Sequence, residues 1–239
     1  NNSFIFNSVP EETMDKSKLW QHFQGVEIEV EKDIFDIEII NLMDFNCDQK
    51  NNVHFFYTLP FTKNKALIES TWLSNFDNES LKDYDAQIEE YIEENLGIHK
   101  YKINFKEKGA IPLFYPELNK KINKINIGSA GCMTRLSTGY TFLNIQEHSK
   151  YIRKNIDNII NAKTFTIGKK YEFLDIVFLR VLREYPERMP DIFLSMFKNK
   201  ANTIVKFLSN KSNILEDLFI ILKMPKWLFI KAIFKNDQL

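Results

Sequence analysis

The sequence predicts an α+β fold in which an antiparallel sheet comes first and helices follow. Up to residue 75, short apolar segments with period-two alternation are separated by turns rich in Asp, Asn, Lys and Pro. From residue 137 onward, apolar residues recur instead at helical spacing. The strands follow one another closely, which favours hairpins over strands joined by crossover helices.

The predicted strands begin with an apolar segment in which we expect Phe4 to Phe6 to be buried. The sequence VEIEVE gives residues 25–31 clear alternation. Two further segments flank a turn that contains Pro, Lys and Asn, and so predict a hairpin at residues 53–73. The strands predicted in this region cover residues 3–8, 25–31, 37–45, 53–59 and 65–73.

An acid-rich helix is predicted at residues 80–96, with Gly97 as its stop. Its apolar stripe consists of Leu81, Tyr84, Ile88, Tyr91, Ile92 and Leu96. Strands at 101–106 and 122–127 are expected to enclose a proline-containing loop at 109–121. The helices predicted after this loop cover residues 140–162, 171–183, 191–198, 202–208, 214–222 and 226–234.

The composition of this 239-residue chain is that of a globular protein with a real core. Its formal charge is zero and it has no nucleic-acid-binding motif, so no nucleic acid is expected as a partner. Cys47 and Cys132, which are far apart, fit a reduced, cytoplasmic protein. No apolar run is long enough to cross a bilayer. Scattered histidines predict no metal site: His22, His54, His99 and His148.

Glu69 is the candidate acid of the predicted hairpin. Alternation places it on one face of its strand with Leu67, Thr71 and Leu73. A carboxyl group held against apolar side chains has a raised pKa and can donate a proton near neutral pH. The alternative is a half-exposed strand on which Glu69 only keeps the sheet edge soluble.

Residues 126–140, NIGSAGCMTRLSTGY, form a second candidate site. Gly128, Gly131 and Gly139 would let the backbone approach a ligand closely, and Ser137 and Thr138 would begin a helix. The positive end of a helix suits an anion or an electron-rich ring oxygen. The alternative is that the glycines serve close packing and that the helix start is an ordinary cap.

Several segments resemble the flavin-dependent lycopene β-cyclases in sequence, order and spacing, over nearly the whole chain. They are LWQHFQGVEIEV (19–30), DIFDIEIINLMDF (33–45), HFFYTLPFTKNKALIEST (54–71), KGAIPL (108–113) and INIGSAGCMTRLSTGYTFLNIQEHS (125–149). The elements LMDF, Y-x-LPF and A-G-x(6)-TGY are more specific together than any one of them alone.

The resemblance implies an FAD/NAD(P)-binding flavoprotein of the aromatic-hydroxylase-like type. Residues 1–122 would form its substrate-binding sheet with one inserted helix, residues 123–163 would complete the FAD domain, and residues 164–239 would form a C-terminal helical cap. Glu69 matches the acid of the family's Leu-Glu-Glu-Thr-like motif, in which Ser70 stands where many members have a second acid. Arg135 and Leu136 stand where many relatives have His-Pro or Lys-Pro.

Two further groups of residues take roles from the resemblance. The flavin contacts would be Gly128, Ser129, Ala130, Gly131, Ser137, Thr138, Gly139 and Tyr140. The substrate contacts would be Phe23, Met43, Asp44, Phe45, Tyr57, Pro60 and Thr71.

The reaction implied is a cyclisation of lycopene, or another linear carotenoid, without net redox change. Its cofactor would be reduced FAD, with NAD(P)H as the reductant. The sequence has no initiator Met and no GxGxxG segment. We therefore expect an N-terminal half that carries the dinucleotide motif, without which this chain should bind FAD poorly.

The C-terminal helices suggest contact with the inner face of a membrane. Eight lysines lie between residues 198 and 235, interleaved with large apolar side chains such as Trp227 and Phe229. Such a surface can rest on an anionic bilayer, although ordinary helix packing with solvated lysines is the alternative. Two other functions stay open: a related isoprenoid reductase or monooxygenase, and a non-catalytic module that binds polyenes or lipids.

Overall fold

The computed structural model describes residues 3–9, 15–76, 79–115 and 123–235. The chain forms two compact units, of which one is Lys16–Ile111 and the other combines Asn1–Asp15 with Pro112–Leu239. We call them the sheet unit and the helical unit. The strands are β1 (Ile5–Asn7), β2 (Leu19–Glu29), β3 (Asn41–Asp44), β4 (Val53–Thr62), β5 (Lys65–Asn75), β6 (Lys102–Pro112) and β7 (Lys124–Asn126).

The sheet unit is built on five strands in the order β3-β4-β5-β2-β6. Strands β3, β4 and β5 form an antiparallel meander, and β2 pairs antiparallel with the free side of β5. A tight turn joins β4 to β5, with Thr62 opposite Lys65, which confirms the predicted hairpin. Since β5 has a partner on each side, it lies in the middle of the sheet.

One face of this sheet is covered by helix α1 (Tyr84–Glu90) and the π-helical turn Tyr91–Asn95. The buried cluster between them confirms the predicted stripe and includes Ile28, Ile68, Trp72, Tyr84, Ile88 and Ile92. Gly97 follows with a φ of +67°, a left-handed conformation that suits glycine and ends the helix. We call this side of the sheet the helix face.

Two neutral histidines lie buried on the helix face. His22 bonds the Tyr84 hydroxyl at 2.6 Å through Nδ1 and Ser74 Oγ at 2.8 Å through Nε2. His54 Nε2 lies 2.9 Å from Ser70 Oγ, and its ring stacks on Trp72 at 3.8 Å. Burial lowers the pKa of each histidine to about 4.

These histidines should make the chain sensitive to mild acid. The ordinary pKa is 6.5, so between pH 6.5 and pH 4 the unfolded chain binds more protons than the folded one. We expect the free energy of unfolding to fall over that window by up to about 3 kcal/mol per histidine. Urea titrations from pH 7 to pH 4.5 measure it.

His99, which is exposed, provides the matched control. His99→Gln should leave the pH slope unchanged, whereas His54→Gln should flatten it. If the free energy of unfolding had the same slope against pH in the unsubstituted chain and in His54→Gln, the assignment of His54 as a buried, neutral histidine would be contradicted.

The helical unit contains a small parallel sheet of β1 and β7, with Phe6 opposite Ile125. Its helices are α2 (Phe142–Lys154), α3 (Lys169–Glu184), α4 (Met189–Phe197), α5 (Ala201–Leu208), α6 (Ile214–Lys223) and α7 (Lys226–Ile233). Helix α6 begins with a capping box in which Asn213 and Glu216 bond each other's backbone N–H groups at 2.9 Å. The predictions for α3 to α7 are confirmed to within two residues at each end.

Several predicted strands have different bounds. Strand β2 begins at Leu19 rather than 25, and β6 continues through the expected loop to Pro112, whereas residues 116–122 lie outside the described residues. The strand predicted at 37–45 is only Asn41–Asp44, because Asp36 bonds the backbone N–H groups of Glu38 and Ile39 in a turn. The expected burial of Phe4 to Phe6 is wrong, since Ile5 and Phe6 are exposed.

The long helix predicted at 140–162 is two shorter ones. Helix α2 ends at Lys154, where the Asn155 amide bonds the Tyr151 carbonyl oxygen, and a kinked 3-10 segment, Ile156–Asn161, follows. The compact units also do not follow the predicted regional boundaries, because β1 pairs with β7 and so joins the first residues to the helical unit.

Candidate active site

Glu69 lies on β5, on the side of the sheet opposite the helix face. Its direct neighbours across the ladder are Gly25 on β2 and Tyr57 on β4. Because β5 is central, the alternative of a solubilising edge residue is wrong. We call this side of the sheet the acid face.

The surroundings of Glu69 favour its protonated form. Burial raises the pKa of the half-buried carboxyl group to about 7, and the like charge of Glu107 acts in the same direction. The Thr71 hydroxyl donates to Glu69 Oε1 at 2.8 Å, which opposes the rise in pKa. Burial and the nearby Glu69 charge raise the pKa of Tyr57 as well. The prediction of a raised pKa for Glu69 is confirmed, and a carboxyl group of this kind can give a proton at neutral pH.

The raised pKa of Glu69 should destabilise the fold at alkaline pH. The pKa rises from 4.5 to about 7 on folding, so the stability it contributes is complete below pH 4.5 and is lost as pH rises through 7. We expect Glu69→Gln to unfold at a higher urea concentration than the unsubstituted chain at pH 8. The advantage of the variant in free energy of unfolding should be larger at pH 8 than at pH 4 by on the order of 2 kcal/mol. Glu89→Gln, a change on the exposed side of α1, should show no such difference between the two pH values.

Two glycines shape the acid face, and both escaped the sequence-based assignment. A Cβ on Gly109 would lie 2.6 Å from Cζ of Phe23, so only glycine leaves room for that ring. A Cβ on Gly25 would lie 3.1 Å from Leu67 and 3.2 Å from Glu107. Gly109 and Glu107 were missed because β6 was expected to end at residue 106.

The predicted substrate contacts divide between the two faces. Phe23, Tyr57 and Thr71 share the acid face with Glu69, with Phe23 and Tyr57 on the neighbouring strands. Phe45 packs edge to face on Phe55, with ring centroids 5.6 Å apart, and Phe55 pairs with Thr71.

The other three predicted substrate contacts are placed differently. Asp44 accepts a hydrogen bond of 2.7 Å from the Tyr91 hydroxyl, which belongs to the helix face. Pro60 pairs with buried Ala66, whose side chain also belongs to that face. Met43 is half-buried and has a left-handed φ of +61°. The structure therefore does not gather these three around Glu69.

The predicted flavin contacts begin in a short 3-10 turn, Gly128–Gly131, directly after β7. Gly128 has a φ of +56° and open space beside it, since a Cβ there would meet nothing closer than Ser8 at 3.8 Å. Gly131 is required by packing, because a Cβ would lie 2.7 Å from the carbonyl oxygen of Asn126. Ala130 is buried and Ser129 is half-buried.

A buried ion pair fixes the second part of this segment. Asp175 of α3 accepts bonds from Arg135 Nε and Nη2 at 2.9 and 2.6 Å, from the Leu136 N–H at 3.1 Å and from Ser137 Oγ at 2.7 Å. Both charged side chains are fully buried. Ser137 is therefore engaged by protein and does not begin a helix, because α2 starts only at Phe142.

The remaining predicted flavin contacts lie in a tight turn before α2. Thr138, Gly139 and Tyr140 are half-buried, and Gly139 has a φ of +68° in a turn closed by its N–H bond to the Arg135 carbonyl oxygen. Gly128 also has a left-handed φ, but it is buried. The rigid turn and the small residues thus suit close approach of a planar ring.

Other kinds of site are not found in the part of the chain that the structure describes. No group of three or more His, Cys, Asp or Glu there could hold a metal ion. No helix among those residues has the length and hydropathy needed to cross a bilayer.

The fold and the site define an α+β protein that carries a half-buried carboxyl group of raised pKa on one face of an antiparallel sheet. The family described as "Lycopene cyclase protein" matches residues 2–233. The chain therefore belongs to the lycopene cyclase family.

Other comparisons are weaker. None of the curated proteins compared with the chain matches it. The crystal structure of a geranylgeranyl bacteriochlorophyll reductase-like protein from Thermoplasma acidophilum is similar, with 13% sequence identity and a TM-score of 0.49. The alignment covers 91% of this chain and 55% of that protein, so the chain spans about half of its length.

Proposed function

We propose that the chain is the substrate-binding part of a lycopene β-cyclase and that Glu69 is its general acid. The observation that carries the proposal is the pKa of about 7 for a half-buried carboxyl group on the acid face. An acid with this pKa keeps its proton at neutral pH and still releases it readily. Family membership supports a linear carotenoid as the substrate.

The proposed reaction is an isomerisation. Glu69 transfers its proton to a terminal double bond of the linear polyene, and the neighbouring double bond attacks the resulting cation to form a carbon–carbon bond. The positive charge then rests on a tertiary carbon of the new ring. Loss of one ring proton gives the β-ionone ring, so one proton is gained, one is lost, and no electrons are exchanged.

The proposed cofactor is reduced FAD, with NAD(P)H as the reductant. Ser129, Thr138, Gly139 and Tyr140 would contact the flavin, held in place by the Arg135–Asp175 pair. When bound, the reduced flavin supplies negative charge that stabilises the cation. The dinucleotide itself would need a segment with a phosphate-binding motif, which we propose as an N-terminal partner region of the same protein.

Product analysis tests this function. The chain would be joined to the dinucleotide-binding half of a family member and expressed in lycopene-producing cells. Ring formation without oxygen uptake, and without NAD(P)H consumption in proportion to product, is expected. A saturated product formed with stoichiometric NAD(P)H would indicate a reductase, and incorporation of oxygen a monooxygenase. Carotenoid binding without turnover would indicate a binding module.

We also propose that the helical unit rests on the inner, cytoplasmic face of a membrane. Helices α6 and α7 expose many large apolar side chains among the lysines, including Ile214, Leu215, Phe219, Trp227 and Ile230, and Phe234 directly after α7 is exposed as well. Apolar burial in the interface and attraction of lysines to anionic lipid would act together, at about 1 kcal/mol for each lysine near the surface.

Flotation with liposomes measures this association. The chain is expected to float with anionic vesicles and less with neutral ones, and Phe219→Ser combined with Trp227→Ser should reduce flotation at least several-fold. Phe61→Ser removes an equally exposed ring from the sheet unit and should have no effect. Failure of the unsubstituted chain to float with anionic vesicles would remove this proposal.

A further inference from the structure

The helical unit encloses a cavity of about 310 Å³ between helices α3 to α7. Its floor is made of buried apolar side chains that include Val177, Phe178, Met196 and Ile220. An apolar cavity of about 150 Å³ is large enough to bind benzene. On that scale, this cavity has room for roughly ten to twelve carbon atoms of a ligand.

The polar residues of the lining are Ser137, Thr138, Asp175 and Lys226. Thr138, which is also a proposed flavin contact, accepts a long hydrogen bond of 3.4 Å from the Tyr140 N–H. Asp175 accepts hydrogen bonds from Arg135 and from Ser137, which uses its hydroxyl proton in that bond. Lys226 is exposed, so its ammonium group can remain in water. The part of a ligand inside the cavity would therefore meet mainly apolar surface and needs no polar group of its own.

The opening of the cavity is apolar as well. Phe173, Ile221, Ile230 and Ile233 line the cavity and are each more than 40% exposed. Several exposed apolar side chains beside an apolar cavity are unusual for a surface that meets only water. It is suited to a long molecule whose end lies inside and whose remainder continues outward.

We infer that this cavity is a binding site for the end of a flexible hydrocarbon chain. The chain can be a fatty acyl chain or an isoprenoid, since both present only apolar surface over ten carbon atoms. Glu69 is not part of this site, and the inference does not depend on the cyclisation reaction. Burial of the chain end against the cavity floor supplies the affinity.

The experiment titrates the full chain with two ten-carbon probes, decanoate and geraniol, by calorimetry. Saturable binding of one molecule, with competition between the probes, is expected. Tighter binding of decanoate assigns an acyl chain, tighter binding of geraniol assigns an isoprenoid, and equal binding assigns a site for either. Lack of saturable binding of both probes overturns the inference.

Two variants fill the cavity from two different helices. Ile220→Trp on α6 and Val177→Phe on α3 should each weaken probe binding by at least about 10-fold. Leu222→Trp makes a similar change on the exposed side of α6, outside the lining, and should leave binding within about twofold. Unchanged affinity in both filled variants, or an equal loss in Leu222→Trp, overturns the inference.

A variant that enlarges the cavity keeps the inference testable if the filled variants do not fold. If circular dichroism shows that either filled variant is unfolded, the other one decides. If both are unfolded, Phe229→Ala removes a ring from the lining and should strengthen binding of tetradecanoate relative to decanoate by at least about threefold. An unchanged ratio overturns the inference.

Discussion

Glu69→Gln is expected to lower the rate of lycopene cyclisation by about 10²- to 10⁴-fold, the usual contribution of a positioned general acid. Glutamine keeps the size of the side chain and its bond with Thr71 but has no acidic proton. The structure predicts no loss of folding, because the amide removes the charge that burial disfavours. The measurement is β-carotene formed per unit of expressed protein, in the same cells that test the proposed function.

The pH dependence gives this prediction a second readout. Activity should fall as pH rises through 7, because Glu69 loses its proton there. Glu107→Gln removes a like charge that raises the pKa of Glu69, so the fall should move to lower pH. Glu89→Gln, at an exposed position on α1, should change neither the rate nor the profile. Full activity of Glu69→Gln would refute the acid assignment.

Asp175→Ala is expected to destabilise the chain by roughly 3–5 kcal/mol, because it leaves the Arg135 guanidinium buried without its counter-ion. The remaining partners of Arg135 are the Phe207 carbonyl oxygen at 2.6 Å, the Asn210 side chain at 3.1 Å and the ring faces of Tyr171 and Phe207. None of these is an anion. Urea unfolding measures the loss.

An exposed ion pair and a double replacement serve as comparisons. Glu147→Gln breaks the exposed pair with Lys211 and should cost at most about 1 kcal/mol. Asp175→Leu combined with Arg135→Met removes both buried charges and should recover part of the loss. If Asp175→Ala costs no more than Glu147→Gln, the pair does not anchor the turn.

The hairpin and the helices were predictable because local patterns determine them. Alternation around Glu69 places that residue on a face, and helical spacing from residue 169 onward places each apolar stripe. The pattern could not tell which strand pairs with the free side of β5. The pairing with β2 places Glu69 on a central strand rather than an edge strand, and it places Gly25 directly opposite Glu69.

Long-range partners were the part that sequence could not supply. Arg135 and Asp175 are separated by 40 positions, and nothing in the local pattern around either one indicates the other. Glu107 and Gly109 were hidden because Pro112 suggested a loop where the structure continues an edge strand. The early end of α2 follows from a side-chain bond of Asn155, a competition that periodicity does not detect.

Ser70 follows Glu69 directly, yet the sheet sends its side chain to the opposite side, where it bonds His54 and Gln87 under the helices. Two positions that are adjacent in the motif therefore lie in different surroundings on opposite faces of β5. Burial raises the pKa of Glu69 on one face, whereas Ser70 is held by hydrogen bonds in the buried interior on the other. Restoring an acid with Ser70→Glu would place a carboxylate beside a neutral histidine in the core, and we expect misfolding rather than a second proton donor. The pleat of a single strand thus divides a short motif into one position on the proposed substrate side of the sheet and one position that serves the packing of the core.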